Sequence, residues 1–284
     1  MREHVRCALC GADDARPRFR VAPGAGAHGD LWLGEARLRS TADETIVACR
    51  RCGLVYVNPR VAFAPGLAPY STAAELAYFA RTRAARARAF GRLLGALPRW
   101  VGEPPRALLD IGCGDGLLLE LARRRGIAAQ GSELSDALVR LVRGRLGADA
   151  IVGAPREDLP AARYDAIALL NVLEHVHEPG AMLQTAARLL RPGGALLVHV
   201  PNLGGLPARL RGARWHQIEP LSHLYYFTHR TLAAMLRQHG MEPAARFSLV
   251  VSGGARGAAQ RLLDRAGVYL DSGLGVVARK REGA

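Results

Sequence analysis

Apolar residues along the chain follow two rhythms. Short continuous runs at Ala107–Ile111, Tyr164–Leu170 and Ala195–Val200 read as strands buried on both faces, the pattern of a parallel sheet. Ile127–Ser132 reads as a second strand and Asp149–Val152 as a brief third, which makes Tyr164–Leu170 the fourth and Ala195–Val200 the fifth. Between them the apolar spacing is helical. Leu76, Phe79, Phe90, Leu93, Leu94 and Leu97 form one face of a helix over Ala73–Leu97, which Pro98 and Pro104-Pro105 are expected to end. Shorter helices are expected up to Arg125, over Asp136–Arg145 with Ser135 as cap, and over Pro179–Leu190, where Arg191-Pro192-Gly193-Gly194 breaks the run. Strands alternating with helices predict an α/β fold with a Rossmann-like doubly wound parallel sheet.

The first strand of that pattern runs into Gly112-Cys113-Gly114-Asp115-Gly116, and Leu117 opens a helix. Strand, glycine turn and helix begin a nucleotide-binding unit, because glycine lets a ligand approach the backbone where a Cβ would collide. Asp110 closes the strand and Asp115 sits inside the turn. Two acids there oppose a pyrophosphate and favour a cationic ligand with ribose hydroxyls. S-adenosylmethionine, with its sulfonium and ammonium, fits that description better than NAD. Glu133 lies about 20 residues beyond the turn, where an acid at the end of the second strand accepts ribose hydroxyls.

Before the helix lies a segment of different character. Cys7-Ala8-Leu9-Cys10-Gly11 and Cys49-Arg50-Arg51-Cys52-Gly53 are two matching Cys-x-x-Cys-Gly knuckles. Together Cys7, Cys10, Cys49 and Cys52 supply four thiolates for one closed tetrahedral Zn2+ site, structural and not catalytic. Leu31-Trp32-Leu33, Arg37-Leu38-Arg39 and Thr45–Ala48 look like short strands of a small zinc ribbon, which the metal would stabilise. His4 is a stray histidine beside a filled site. The fifth cysteine, Cys113, is read as packing inside the glycine turn.

The 284 residues, 49% of them hydrophobic, provide for one sizeable core plus an appendage. No apolar run reaches membrane-spanning length and the first residues form no secretory signal, so a cytoplasmic protein without membrane partners is expected. The net charge of +14 raises the prospect of an RNA partner. Lys280 is the only lysine, however, and the arginines recur at helical spacing, as on solvated faces.

Taken together, Leu109–Gly116, Glu133, Tyr164–Ile167, Asn171–Val176 and Leu190–Gly194 resemble the ordered markers of class I S-adenosylmethionine-dependent methyltransferases, from Ala107 to about Arg279. The whole chain resembles bacterial members that begin with a four-cysteine zinc ribbon; Cys52–Pro59 and Trp215 followed by His223–Thr228 carry that likeness. The resemblance implies roles. Gly112 and Gly114, with the neighbouring backbone of Cys113, would cradle the methionine half of the donor. Asp110 would place its amino group, Glu133 hold the ribose, Leu134 flank the adenine, and Asn171 line the pocket near the methyl group. The usual acid after the third strand is missing from Val152–Asp158, which leaves the adenine reader unassigned. The last strand would be antiparallel at Leu274–Arg279, with Phe247–Val251 as hairpin partner and a helix over Ala255–Ala266 between them.

Methyl transfer to a hydroxyl benefits from a base. His175, just past the fourth strand, is either that base or a residue that orders its loop. His223 lies in a segment crowded with polar and aromatic residues and is read as a substrate-site histidine. His199, inside a strand, is read as a satisfied core histidine. Tyr70, Tyr78 and Phe79 are read as packing rather than as a lid. The expected organisation is a ribbon over 1–62, a linker and helix over 63–104, and a methyltransferase domain over 105–284 with a substrate-side insert at 202–230. The expected activity is methylation of a small-molecule or sugar-type acceptor, in specialised metabolism or a cell-surface glycan pathway. A ribosomal RNA methyltransferase and a non-catalytic scaffold are the alternatives. For RNA, Arg209, Arg211 and Arg214 beside Trp215 are the one suggestive cluster.

Overall fold

A computed structural model describes residues 2–23, 30–33, 36–39, 43–62, 72–152, 159–249 and 270–281. The N-terminal part holds β1 (Arg2–Glu3), β2 (Ala15–Val21), the hairpin of β3 (Asp30–Leu33) and β4 (Ala36–Arg39), β5 (Glu44–Cys49), β6 (Val55–Val57) and β7 (Arg60–Val61). Helix α1 (Thr72–Val101) follows, then β8 (Ala107–Ile111), α2 (Leu117–Arg123), β9 (Ala128–Ser132), α3 (Asp136–Leu146), β10 (Tyr164–Leu170), α4 (Pro179–Leu189) and β11 (Leu190–Pro201). The chain continues through α5 (Leu206–Arg211), β12 (Tyr225–Tyr226), α6 (His229–Gln238), β13 (Met241–Phe247) and β14 (Gly273–Lys280).

The central sheet has the order β13-β14-β11-β10-β8-β9. Strands β9, β8, β10 and β11 are parallel, and β14 enters antiparallel between β11 and β13. Successive side chains point to opposite faces, and both faces are covered. Leu109, Ile111, Ile167, Leu169, Leu196 and Val198 share one core with α4, α6 and the knuckle region. Leu108, Ala166, Ala168, Ala195 and Leu197 meet Phe90, Leu93, Leu94 and Leu97 of α1 on the other face. The alanines on that face let a long helix lie close to the strands.

The ribbon is built into this architecture. Its sheet has the order β12-β6-β5-β2, so a strand from the segment after β11 completes it. Trp215, Ile218 and Tyr226 pack with Val21, Ile46 and Val55 in one cluster. Cys7, Leu9, Cys49 and Leu54 belong to the same core as Leu232 and Met235 of α6, and Gln238 donates to the Leu9 carbonyl at 2.9 Å.

Several expectations need correction. Pro98 lies inside α1, which runs on to Val101. A proline there costs ~3 kcal/mol, but Leu97 and Val101 on either side are buried, and each such burial contributes roughly 1.5–3 kcal/mol. The brief third strand reduces to a 3-10 turn at Ala148–Ala150 and a single bridge from Ile151 to Gly131. Asp149 is held by side chains instead of a ladder: Gln130 Nε2 reaches its carbonyl at 3.1 Å and Arg123 its carboxylate at 3.0 Å. Residues 191–194 end α4, but they do so as the bulged opening of β11. The partner of β14 is Met241–Phe247, earlier than the expected Phe247–Val251, because the chain turns directly from α6 at Gly240, where φ is +72°. The expected helix over Ala255–Ala266, the linker Ala64–Pro69, Tyr70 and residues 153–158 lie outside the described residues.

Candidate active site

The glycine turn follows β8 and is closed by bonds from Gly112 N and Cys113 N to the Ser132 carbonyl, at 2.7 and 3.0 Å. Gly112 has φ +73° and Gly114 φ +55°, a region that side chains rarely adopt. Space is the second constraint. A Cβ on Gly112 would stand 2.6 Å from Val172 Cγ2, and one on Gly114 2.6 Å from Phe79 Cζ. Cys113 is buried and packs against Gly131, as its position in the turn suggested.

The three acids around the turn have separate environments. Asp110 is buried, and burial, with repulsion from Glu133 and Asp115, pushes its pKa up to about 8. Glu133 folds back onto the backbone: Oε2 accepts from Gly114 N at 2.9 Å, and Oε1 from Leu134 N and Ser135 N at 2.7 and 2.9 Å. Those three bonds leave part of the carboxylate's acceptor capacity available. Leu134 beside it is 71% exposed. Asp115 is not an open acid in the turn but is paired with arginines. Arg86 Nη1 and Nη2 each reach one of its oxygens at 2.8 Å, and Arg83 stands 3.6 Å away. These arginines are therefore only partly on a solvated face. The Arg86 guanidinium also lies 4.8 Å from the Phe79 ring, so the start of α1 is fastened over the turn.

Asn171 ends β10 with φ +58°. Its Oδ1 is 2.8 Å from His199 Nδ1, and its N–H donates to the His199 carbonyl at 2.8 Å. His199 is thus a buried, satisfied histidine, and burial lowers its pKa to about 4. Val172 then packs on Gly112, and Glu174 and His175 follow in the same loop.

His175 and His223 meet with ring centroids 4.8 Å apart. His175 Nδ1 is 2.9 Å from the Ser222 carbonyl, and His223 Nδ1 is 2.9 Å from the Gln217 carbonyl. A carbonyl only accepts, so each Nδ1 donates, and each Nε2 lies near a carboxylate. His175 Nε2 is 3.7 Å from Glu174 Oε1, and His223 Nε2 is 4.0 Å from Glu219 Oε2. Glu174 is completely buried, and neither oxygen has a hydrogen-bond partner among the described residues. Burial, with repulsion from Glu219, raises its pKa to about 8, while burial and the neighbouring His223 hold His175 neutral, down to about 3. The loop position of His175 was legible from sequence; the carboxyl group behind it was not singled out.

The four knuckle cysteines converge. Cys7 Sγ is 3.4 Å from Cys52 Sγ, Cys10 Sγ is 3.5 Å from Cys49 Sγ, and all four lie within 4.8 Å of one another. Gly11 and Gly53 have φ +69° and +81° and donate back to the Cys7 and Cys49 carbonyls. This close cluster is compatible with a tetrahedral zinc site, in which sulfurs 2.3 Å from the metal stand about 3.8 Å apart. His4 is elsewhere, 2.7 Å from Asp13.

Residues 79–245 match the methyltransferase-domain family, more than half of the chain. Curated relatives named ubiquinone biosynthesis O-methyltransferase include one from Xylella fastidiosa, 34% identical over 47% of this chain and 60% of its own length. One from Alkalilimnicola ehrlichii is 35% identical over 36% of this chain and 44% of its own length. The chain thus spans about half the length of these relatives. Among solved structures, a Haloferax volcanii methyltransferase complexed with its activator aligns with a TM-score of 0.53 at 19% identity, covering 73% of this chain and 96% of that one. An Archaeoglobus fulgidus S-adenosylmethionine-dependent methyltransferase aligns with a TM-score of 0.51 at 18% identity, covering 72% and 99%. They share the α/β fold with its antiparallel last strand. The relatives' name overturns the expected sugar or glycan acceptor and the ribosomal RNA and scaffold alternatives. The suggestive cluster for RNA also fails on structure, since Trp215 is 1% exposed and offers no stacking face. No helix among the described residues is long and apolar enough to cross a membrane.

Proposed function

Because the chain belongs to the methyltransferase-domain family, with S-adenosylmethionine as its methyl donor, we propose that it methylates a ring hydroxyl of a small quinone-type acceptor. The observation that carries this reading is one loop. Val172 packs on the donor-side glycine, and three residues on His175 joins Glu174 and His223 in a buried proton-handling group.

The residues present fit the donor. Gly112 and Gly114, which Val172 and Phe79 and their positive φ keep free of side chains, would present bare backbone to the methionine half, with the Cys113 backbone between them. Asp110, held neutral by burial, is stabilised as a carboxylate when a cation arrives beside it. Glu133 has acceptor capacity left for ribose hydroxyls, and Leu134 offers an exposed apolar surface beside it for the adenine. Asn171, oriented by His199, lines the methyl end. When bound, the donor supplies a methyl group on a positively charged sulfur.

The chain's own work is alignment and proton removal. An acceptor hydroxyl that takes up the methyl group would have to lose its proton, and the chain must supply the base. His175 Nε2 and Glu174 Oε1 are 3.7 Å apart, too far to bond each other, so the buried carboxyl acts on the imidazole through its charge. His175 takes the proton, and ionised Glu174 stabilises the resulting imidazolium. His223 and Glu219 wall the other side of the imidazole. Cys7, Cys10, Cys49 and Cys52 would hold one structural Zn2+, which four thiolates leave without an open position for catalysis.

The test is transfer of labelled methyl to catechol and to hydroquinone-type acceptors. O-methyl product that falls at least tenfold in His175→Ala supports the reading; label on nitrogen or carbon acceptors alone overturns it. Glu133→Ala should weaken binding of S-adenosylhomocysteine at least fivefold in calorimetry, and an unchanged affinity removes the ribose assignment.

A further inference from the structure

We propose that Arg60, at the exit of the ribbon, is a positioning residue for the acceptor side, acting through Tyr225 on His175. This rests on the reading of Glu174, His175 and His223 as the acceptor-side group. The Arg60 side chain is only 6% exposed. Its Nη1 donates to Tyr225 Oη and to the His177 carbonyl, both at 2.9 Å, and its Nε donates to Glu3 at 2.7 Å. Tyr225 Oη donates to the same His177 carbonyl at 3.0 Å. One guanidinium thus joins β1, β7, β12 and the loop between β10 and α4.

The bonds lead on to the histidine ring. Leu224 N and Tyr225 N both donate to the Glu174 carbonyl, at 2.8 and 3.2 Å. Tyr225 also pairs with Tyr56 of β6, and Val57 N donates to the Leu224 carbonyl at 2.9 Å. The Ser222 carbonyl, three residues before Tyr225, fixes His175 Nδ1. The ring therefore takes its direction from two backbone points, and β12 places both. A buried guanidinium is a costly way to fill space, and its planar fork suits the fixing of several acceptors at once. The donor side stands apart, since among the described residues the hydrogen bonds of Glu133 run only to Gly114, Leu134 and Ser135. Arg60 accordingly tunes the acceptor side and leaves donor binding alone.

The experiment compares the full chain with Tyr225→Phe, Arg60→Met and Arg60→Lys. Nitrogen-15 NMR of the imidazoles, with His175 assigned by a His175→Gln spectrum, reads the tautomer without turnover. The wild type should show His175 with its proton on Nδ1. Tyr225→Phe and Arg60→Met should give mixed tautomers and raise the KM for catechol at least fivefold. Affinity for S-adenosylhomocysteine should stay within twofold, and Arg60→Lys should recover part of the loss. An unchanged tautomer in Tyr225→Phe overturns the proposal, as does donor-side affinity falling in step with KM. If Arg60→Met does not fold, Tyr225→Phe decides alone. If the wild type does not methylate catechol but the tautomer shifts as stated, the functional reading falls and the positioning role stands.

Discussion

Arg86 closes both terminal nitrogens of its guanidinium on the two carboxylate oxygens of Asp115, each at 2.8 Å. The pair is largely shielded, with 17% and 7% of the side chains exposed. It ties α1 to the glycine turn and neutralises one of the acids that the donor would meet. Arg86→Met should lower stability by about 1–3 kcal/mol in urea unfolding, the range for hydrogen bonds to charged groups, and should loosen α1 over the turn. An Asp115→Asn variant that matches the wild type in stability and in donor affinity would remove this role.

Asp110 is left as the buried acid of the donor site. Its pKa is raised to about 8, so at pH 7 it carries a proton in the free protein. The ammonium group that the donor shares with S-adenosylhomocysteine favours the carboxylate, so binding of either should release up to one proton. Calorimetry of S-adenosylhomocysteine at pH 7, in buffers of different ionisation heat, should show that release in the wild type and its loss in Asp110→Asn.

The same raised values fix the sign of a stability change. Asp110 and Glu174 each shift up to about 8 in the folded chain, from ordinary values near 4. Their contribution is present below the unfolded pKa and is lost as pH rises through the folded one. Ligand-free protein should therefore lose stability between about pH 5 and pH 8, by at most about 1.4 kcal/mol per pH unit for each group. Denaturant midpoints that stay flat over that window in the wild type would contradict it.

Turnover should move in the opposite direction. Ionised Glu174 is the form that stabilises a protonated His175, so kcat/KM should rise as pH passes through about 8. Glu174→Gln should abolish that limb of the profile and slow the reaction roughly 100-fold or more. Survival of the limb in Glu174→Gln would assign it to the acceptor's own ionisation.

Cys7 and Cys49 belong to the core that also contains Leu232 and Met235 of α6. A metal held by the four cysteines should therefore support more than the ribbon. We expect about one zinc per purified chain. Cys49→Ser should lose it and lower the melting temperature of the whole protein by roughly 10 °C. A second, separate transition for the ribbon would argue against this continuity.

How much of this was legible in sequence depends on the range over which each feature is determined. The strand before Gly112, the turn glycines and the Ser135 cap, whose Oγ receives Leu138 N, follow from a few consecutive residues. The convergence of the four cysteines was legible because two matching Cys-x-x-Cys-Gly spacings stand out in the chain. The Arg86–Asp115 pair spans 29 residues and Arg60–Tyr225 spans 165, and no local pattern announces either. Strand β12 is two residues long and exists because β6 offers it an edge, so its signal lies in the partner. Pro98 misled because local propensity was outweighed by the burial of Leu97 and Val101. The sugar or glycan acceptor was misjudged because no local motif specifies an acceptor, and the correction comes from the relatives' name.

The position of β14 has a further consequence, for synthesis. Val276 and Val277 must slot between β11 and β13, at Val198–Leu197 on one side and Arg246–Ala245 on the other. Until that strand has left the ribosome, the inner edge of β11 has no partner, and β13 has nothing to pair with. The ribbon also waits, since its edge strand β6 pairs with β12, long after its own cysteines have been made. The nascent chain thus closes at its ends rather than growing as finished pieces. A ribosome that stalls before β14 would leave the central sheet without its inserted strand, and one that stalls before β12 would leave both sheets incomplete.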